Sequence, residues 1–412
     1  MTLTAKRSYS PHIMTLIAII SGVATGLSAP AGALLVTQEL ASIFMNLFKL
    51  LSAPMIFLAI VSTLTQMESL TAIRSIVKKI LKYTFFTTLI AATVGLLLFL
   101  LINPTALIVD NTSPLPDTLH SSYWAVIKSM VPTNILQPFL ENNVIAIALI
   151  AAALSLALQS LPKEKSRPAT SFFQSLFDAL LFLTSKLMAT IPIAIFAFTT
   201  QFAAQLKEQA TSLVPILWYA FCILAANLIQ GIVVLPLILK AKGHSPLHVA
   251  KKMMPALTIA FLSKSSNIAL PVSLECAIHR LKISDRTARF SFPLCSVINM
   301  NGCAAFILIT TLFVCSSHGI VFTFWEMGLW IFIATLAAIG NAGVPMGCFF
   351  LTSAFLIGMG VPLDMMGVIL PLYAIFDMVE TALNVWSDSC VTSLVDREVG
   401  VAHQTCASDA GG

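Results

Sequence analysis

Long apolar runs recur along this chain, and they restrict its fold more than any other feature. A run of about 20 apolar residues is long enough to cross a bilayer as a helix, and lipid offers the backbone no hydrogen-bonding partner outside a helix or a closed barrel. Of the 412 residues, 58% are hydrophobic and only 10% are charged, and the mean hydropathy is +0.91. These values exclude a soluble domain. The sequence predicts an all-α integral membrane protein.

Six apolar runs in the first part of the chain predict simple spans. They cover residues 13–36, 43–64, 83–102, 144–161, 172–203 and 212–239. The first run follows Lys6 and Arg7 but is long and has no clear small-residue cleavage site, so we expect a retained span rather than a removed signal. Basic clusters at residues 74–82, 163–167 and 240–252 mark cytoplasmic loops. This predicts a multi-pass protein of the cell (cytoplasmic or inner) membrane with both termini cytoplasmic.

Two apolar segments of the second half are interrupted. Residues 253–278 contain a serine-rich polar run and have basic residues at both ends, so we expect them to enter and leave the membrane on the same side. Residues 322–362 carry no Lys or Arg and are broken by the glycine-rich stretch 340–347. With further spans at 290–314 and 366–395, the prediction is eight transmembrane helices plus two re-entrant helical hairpins in inverted repeats. In secondary transporters such broken helices build the substrate site at the midplane.

A polar stripe marks the last span. Asp377, Glu380, Asn384 and Asp388 are spaced three, four and four residues apart, so together with Thr381 they share one side of a helix. A carboxylate at membrane depth costs about 3 kcal/mol on insertion scales and indicates a functional site. Pairing with basic residues of neighbouring helices is the alternative, but few Lys or Arg lie in the apolar runs. The stripe predicts a cation site.

Charge, cysteines and histidines indicate no other ligand. The net charge of +5 comes from basic residues in short loops between the spans, so it reports topology and no nucleic-acid partner. The eight cysteines form no C-x-x-C pair, and the seven histidines form no H-E-x-x-H motif. We therefore expect the cysteines to be small buried hydrophobic residues and expect no zinc site.

Four motifs in order resemble those of the dicarboxylate/amino acid:cation symporter family, most of all its serine/threonine sodium symporters. They are residues 263–267 (SKSSN) with Pro271, 299–302 (NMNG), 340–347 (GNAGVPMG) and 377–388 (DMVETALNVWSD). The resemblance runs over nearly the whole chain. It implies a secondary transporter in the lipid bilayer, not an enzyme, that assembles as a homotrimer.

The resemblance also implies a scaffold domain and a transport domain that moves against it like an elevator. The scaffold would comprise helices 1 and 2 (1–76) and helices 4 and 5 with an external loop (104–210). The transport domain would comprise helix 3 (77–103) and residues 211–398, which contain helix 6, both hairpins and helices 7 and 8. Residues 399–412 would form a cytoplasmic tail.

The family's substrate and sodium sites can be carried over position by position. Asp377 would bind the α-ammonium group of an amino acid, and Asn384 with Ser265 and Ser266 would bind its α-carboxylate. The other implied substrate-binding residues are Gly343, Cys303, Glu380 and Thr381. One Na⁺ would be held by Asp388, Asn384 and carbonyls near Cys295 and Asn299. A second would be held by Val297 and carbonyls of Ala338 to Asn341, and a third by Thr87, Thr88, Asn299 and Asn301.

Two positions depart from the family pattern. Members that carry acidic substrates have an arginine where this chain has Glu380. Glu380 would repel an acidic side chain but can accept a hydrogen bond from a hydroxyl, so we expect sodium-coupled import of a small neutral amino acid, serine or threonine. Asn301 replaces an aspartate, which removes a negative ligand from the third sodium site. We therefore expect fewer coupled sodium ions than in the acidic-substrate members.

Other functions stay open at this point. Within the same family, Glu380 could carry a proton or bind a cationic amino acid, or the chain could carry a dicarboxylate. Lys264 could be a gate charge paired with Glu380 or Asp377, or a lysine that reaches for the interface. Outside transport, two carboxylates could activate water in an intramembrane hydrolase, although residues 358–361 lack the acid of a G-x-G-D motif. A receptor or scaffold would not need two gated hairpins.

Overall fold

The computed structural model describes residues 11–28, 31–66, 70–104, 132–140, 144–209, 213–341 and 346–409. Within these ranges the chain is helical and contains no strand, which confirms the all-α prediction. A single helical turn, Gln137–Leu140, stands apart from the longer helices. Those are α1 (Pro11–Ser28), α2 (Ala31–Gln66), α3 (Leu70–Ile102), α4 (Val144–Ser160), α5 (Lys163–Gln209), α6 (Val214–Ala241), α7 (Pro246–Ser263), α8 (Ser266–Glu275, continued by the π-helical turn Cys276–Arg280), α9 (Asp285–Ile298), α10 (Asn301–Ser317), α11 (Phe324–Gly340), α12 (Gly347–Gly358) and α13 (Asp364–Asp409).

Several helices extend beyond the apolar runs that predicted them. Helix α3 begins at Leu70 rather than at residue 83, and α5 begins at Lys163 rather than at residue 172. Helix α13 continues to Asp409, so the predicted helix end at 395 is wrong. The cytoplasmic tail from residue 399 stays a prediction. The physical reason is that bilayer thickness limits the apolar part of a helix, whereas polar helix formers can continue it outside the membrane.

The first predicted span, residues 13–36, is also wrong. Helix α1 ends at Ser28 and α2 begins at Ala31. The sequence between them is Ala-Pro, and a proline disfavours helical geometry in the residue before it. Helix α2 then runs through the predicted second span and contains Pro54.

Four helical segments of the described chain are long and apolar enough to cross a membrane: Ile76–Ile102, Val214–Ala241, Asp285–Ser317 and Asp364–Val399. A fifth follows if Lys163–Thr184 and Ala189–Ala204, bent by 52°, count as one span. The chain is therefore a multi-pass membrane protein. Eight spans stay a prediction.

Two packing groups organise the helices. Helices α1, α2 and α4 pack with α5, and α2 also packs with α4. At Gly26 a Cβ atom would lie 2.4 Å from the carbonyl oxygen of Thr200, so this position of α1 needs glycine for the close approach to α5. The other group has α10 against α3, α11, α12 and α13, with α6 on α3 and α7 and α9 on α13. Contacts of α12 with α2 and of α13 with α5 join the groups.

The two interrupted segments form helix pairs. Helices α7 and α8 pack against each other and are joined by Lys264 and Ser265. Helices α11 and α12 contact through Trp330 and Phe355, whose ring centroids lie 5.4 Å apart. That these pairs re-enter the membrane from opposite faces stays a prediction.

Candidate substrate and cation site

The polar stripe of α13 faces the protein interior. Only 1% of Glu380 and 2% of Asp388 is exposed, Asn384 and Thr381 are buried, and Asp377 is half-buried. The stripe meets α10 at close range, because a Cβ atom at Gly302 would lie 2.9 Å from Glu380 Cα. This approach lets the Gly302 amide donate to Asn384 Oδ1 at 2.9 Å. Glycine is therefore needed where the helices cross.

A cavity of about 30 Å³ lies where the stripe meets the two helix pairs. It has room for about two water molecules, so an amino acid can enter only if the lining groups move apart. The cavity brings together these predicted residues: Ser265, Ser266, Cys303, Asn341, Asp377, Glu380, Thr381 and Asn384. Gly343 lies outside the described residues.

The first helix pair presents a helix N-terminus to this cavity. Lys264 has a left-handed backbone (φ 55°), which ends α7. The Ser265 hydroxyl then caps α8 by accepting the Ile268 amide at 3.3 Å. The start of a helix carries partial positive charge and free amides, so it favours a carboxylate. Lys264 lines the same cavity and forms no ion pair with any acid that the structure describes.

Glu380 lies beside two thiol groups, which are only weak hydrogen-bond donors. Its carboxylate oxygen and the Sγ atoms of Cys303 and Cys348 lie within 4.8 Å of one another. Neither carboxylate oxygen accepts a hydrogen bond from an N–H or O–H group of a described residue, and the Cys348 thiol is the weak donor beside it. The Asn341 amide contacts both sulfurs, with Nδ2 at 3.4 Å from Cys303 Sγ and 3.6 Å from Cys348 Sγ. A buried acceptor without a donor is costly, so this side chain is available for a ligand.

Asp388 has the opposite surroundings. Its Oδ1 accepts from Asn299 Nδ2 at 2.9 Å, and the same amide donates to Ser387 Oγ at 2.9 Å. Asn299 and Met300 break the helix between α9 and α10, with φ near −100° and ψ near 65°. The Asn299 amide N–H donates to the Cys295 carbonyl at 2.8 Å. Unwound backbone beside a carboxylate is the kind of oxygen-rich place where a sodium ion binds.

Amide groups occupy the region of the predicted third sodium site. Asn301 Nδ2 donates to Asn299 Oδ1 at 3.1 Å, to Thr87 Oγ1 at 3.4 Å and to Ser387. Gln230 Nε2 donates to the Thr87 carbonyl at 3.0 Å and to Asn301 Oδ1 at 3.2 Å. Thr88 is buried, and its hydroxyl has no partner among the described residues. The oxygens of Thr87, Asn299 and Asn301 that a third ion would need thus already receive hydrogen bonds from neutral donors, whereas the Thr88 hydroxyl does not.

The predicted ligands of the second sodium site lie where the ends of α9 and α11 meet. Val297 and Ile339 belong to one apolar cluster, and Ala338 is fully buried next to it along α11. The Ala338 carbonyl accepts the Asn341 amide at 3.2 Å. The side chain of Asn341 also lines the cavity, and its role as a backbone ligand of sodium stays a prediction.

Several residues of the site were missed. Met300, Gly347, Cys348 and Tyr373 line the cavity, and Ser387 and Gln230 bind the asparagines of the cation region. Gln230 carried a usable signal, because it is a polar residue inside an apolar run and lies in a π-helical turn of α6. Cys348 carried no such sequence signal, because a cysteine in an apolar run is typical of core packing.

Comparison with known proteins decides the family. The model of the sodium:dicarboxylate symporter family matches residues 12–398. The chain belongs to this family. Because the members of this symporter family are transporters, the intramembrane-hydrolase and receptor alternatives fall away and the prediction of a non-enzyme is confirmed.

Relatives of this symporter include carriers of both neutral and acidic amino acids. A neutral amino acid transporter B(0) of Oryctolagus cuniculus is 23% identical over 95% of this chain and 81% of its own length. A proton/sodium-glutamate symport protein of Geobacillus stearothermophilus is 23% identical over 88% of each chain. A neutral amino acid transporter A of Homo sapiens is 26% identical over 60% of this chain and 46% of its own length. Amino-acid transport is thus common to the names of these relatives.

Proposed function

We propose that this symporter imports a small neutral amino acid, serine or threonine, and that the inward sodium gradient drives this uptake. The observation that supports the proposal most is Glu380, a buried carboxylate that lines the cavity and has no N–H or O–H hydrogen-bond donor among the described residues. A substrate hydroxyl would supply that donor. An acidic side chain at the same place would meet like charge.

The rest of the cavity suits an amino acid backbone. Asp377 is half-buried and offers a carboxylate for the α-ammonium group. The amides at the start of α8 and Asn384 Nδ2 would bind the α-carboxylate. Asn384 Nδ2 now contacts only the sulfurs of Met300 and Cys303, at 3.3 and 3.6 Å, among the described residues. Because sulfur is a weak acceptor, a carboxylate would replace these contacts with a stronger bond.

We further propose two coupled sodium ions. One would be bound beside Asp388 and Asn299, and the other between Val297 and the carbonyls near Ala338. A third ion is not expected, because Asn301 and Gln230 donate to the oxygens of that region. Neutral amides would hold this part of the fold without a cation.

Transport would proceed by movement of the α3 and α6–α13 group against the α1, α2, α4 and α5 group, within a homotrimer in the cell membrane. The packing of the helices into these two groups supports the division. The small cavity supports a gate: the second helix pair, α11 and α12, would open to admit substrate and close behind it.

Uptake into proteoliposomes tests the proposal. Uptake of labelled serine, aspartate and lysine is measured with and without an inward sodium gradient, for the wild type and for Glu380→Arg. The control variant is Glu275→Gln, at an exposed position of α8. We expect sodium-dependent serine uptake, and a shift of preference towards aspartate in Glu380→Arg. Lysine uptake, or serine uptake driven by a proton gradient without sodium, would instead establish the cationic or proton-coupled alternative.

A further inference from the structure

We propose that Cys303, Cys348 and Glu380 form a binding site for a soft divalent cation such as zinc or cadmium. The three residues come from three elements, α10, α12 and α13, and all are buried. The assignment of the metal site stands independently of the transported substrate. Only its effect on uptake depends on the function proposed above.

The geometry is close to what such an ion requires. The two Sγ atoms and a Glu380 oxygen already lie within 4.8 Å of one another. Zinc binds thiolate at about 2.3 Å and carboxylate at about 2.0 Å in a tetrahedron, which places neighbouring ligand atoms roughly 3.5 to 4 Å apart. A contraction of about 1 Å therefore completes three of four ligand positions, and water can take the fourth.

The chemistry of the donor set also fits. On binding, the ion would displace the protons of both thiols to solvent, and the resulting two thiolates select soft or borderline metals over sodium, magnesium or calcium. Glu380 lacks an N–H or O–H donor among the described residues, so a bound ion would satisfy it. The Asn341 amide, at 3.4 and 3.6 Å from the two sulfurs, can donate to the thiolates as an outer partner. Lys264 in the wall of the same cavity reduces the remaining negative charge.

A bound ion would link α12, from the second helix pair, to α10 and α13. Cys348 lies in the first turn of α12, whereas Cys303 and Glu380 belong to α10 and α13. Metal bonds across these three elements would hold α12 against the cavity, which must widen for an amino acid to enter. The ion would also occupy Glu380, so metal and substrate would exclude each other.

Cadmium binding to the purified full-length protein tests the site directly. Cadmium–thiolate bonds absorb in the ultraviolet, and the titration should saturate at one cadmium ion per chain. We expect Cys303→Ser and Cys348→Ser each to weaken binding at least about tenfold. The matched control is Cys315→Ser, which removes another buried thiol of α10. Binding that survives in Cys303→Ser/Cys348→Ser, or that Cys315→Ser weakens equally, would overturn the proposal.

Thermal unfolding guards against misfolded variants. Cadmium should raise the Tm of the wild type and of Cys315→Ser, because a ligand of the folded state stabilises it, and should leave the Tm of Cys303→Ser/Cys348→Ser unchanged. Where that variant does not fold, Glu380→Gln serves instead, with at least a tenfold weaker cadmium affinity expected. Inhibition of serine uptake by cadmium is then measured separately. Cadmium binding without sodium-driven serine uptake would leave the metal site standing and refute the transport proposal alone.

Discussion

Glu380 and Asp388 lie eight positions apart on one face of α13, both almost wholly buried, yet their surroundings differ in kind. Asp388 accepts from Asn299 at 2.9 Å and belongs to a network that reaches Ser387, Asn301 and Thr87. Glu380 has two thiol neighbours and no N–H or O–H donor among the described residues. The carboxylate of Asp388 is thus held by a hydrogen bond, whereas the carboxylate of Glu380 lacks a strong donor.

The difference indicates a division of roles. A carboxylate with fixed, partly satisfied oxygens is prepared to coordinate a small cation at little ordering cost. A carboxylate without donors gains most from an incoming group that brings its own, such as a hydroxyl or a metal ion. We therefore assign Asp388 to sodium coupling and Glu380 to ligand selection, and the following substitutions test this assignment.

The largest effect is expected for Asp388→Asn. This change keeps the size of the side chain and removes the charge that would bind sodium. A charge-assisted contact is worth about 1.5 to 3 kcal/mol, so the sodium concentration for half-maximal serine uptake should rise roughly 10- to 100-fold. The matched control is Asp364→Asn, at the exposed start of the same helix. An unchanged sodium requirement would place the coupling site elsewhere.

Glu380→Gln should act on substrate choice and leave sodium coupling intact. Loss of a charged acceptor for the substrate hydroxyl should reduce the preference for serine over alanine by about tenfold. Competition of unlabelled serine and alanine against labelled alanine measures the ratio, with sodium dependence recorded in parallel. If sodium dependence falls and the ratio does not, the roles of Glu380 and Asp388 are reversed.

Asn301→Asp should restore a cation ligand in the amide-filled region. The new carboxylate would no longer donate to Asn299 and Thr87, and its charge would favour an ion there. We expect one additional sodium ion per serine, measured from the sodium gradient that balances a fixed serine gradient. The control is Asn227→Asp, which lies three residues before Gln230 on α6. An unchanged stoichiometry would mean that Asn301 does not decide the number of ions.

The smallest effect is expected in a charged cluster formed by Tyr83 of α3, Glu398 of α13 and Lys242, which directly follows α6. Lys242 Nζ lies 3.3 Å from Glu398 Oε1, and the Tyr83 hydroxyl donates to the same carboxylate. The Tyr83 and Glu398 side chains raise the pKa of Lys242 above its ordinary 10.5. The contribution of charged Lys242 to the free energy of unfolding is therefore complete below about pH 10.5 and is lost as the pH rises through its raised pKa.

Because Lys242 is exposed, Lys242→Ala should lower the Tm by less than about 2 °C at neutral pH. The difference from wild type should vanish as the pH rises through the raised pKa of Lys242, and Lys251→Ala on α7 is the control. A larger shift at neutral pH, or one that persists in strong alkali, would show that Lys242 stabilises the fold by packing instead.

Much of the site could be predicted from local pattern. The spacing of Asp377, Glu380, Asn384 and Asp388 placed them on one face of α13, and the cavity does contain the first three. The polar break near Ser265 marked where α7 ends. Helix ends were predicted less well, because hydropathy marks where a helix can meet lipid, and α3, α5 and α13 continue beyond their apolar runs into polar sequence.

The sequence by itself determined a helical membrane protein of this symporter family with a buried acidic stripe, because lipid forces backbone groups into helices and makes charge costly. Only the tertiary structure decided which residues meet that stripe. Gln230 reaches Asn301 across 71 positions of the chain, and Cys348 reaches Cys303 and Glu380. Such long-range contacts depend on the angles at which helices cross. Packing between the helices sets these angles, and the residue spacing within one helix does not reveal them. For that reason the cysteines predicted as inert core residues form a candidate metal site.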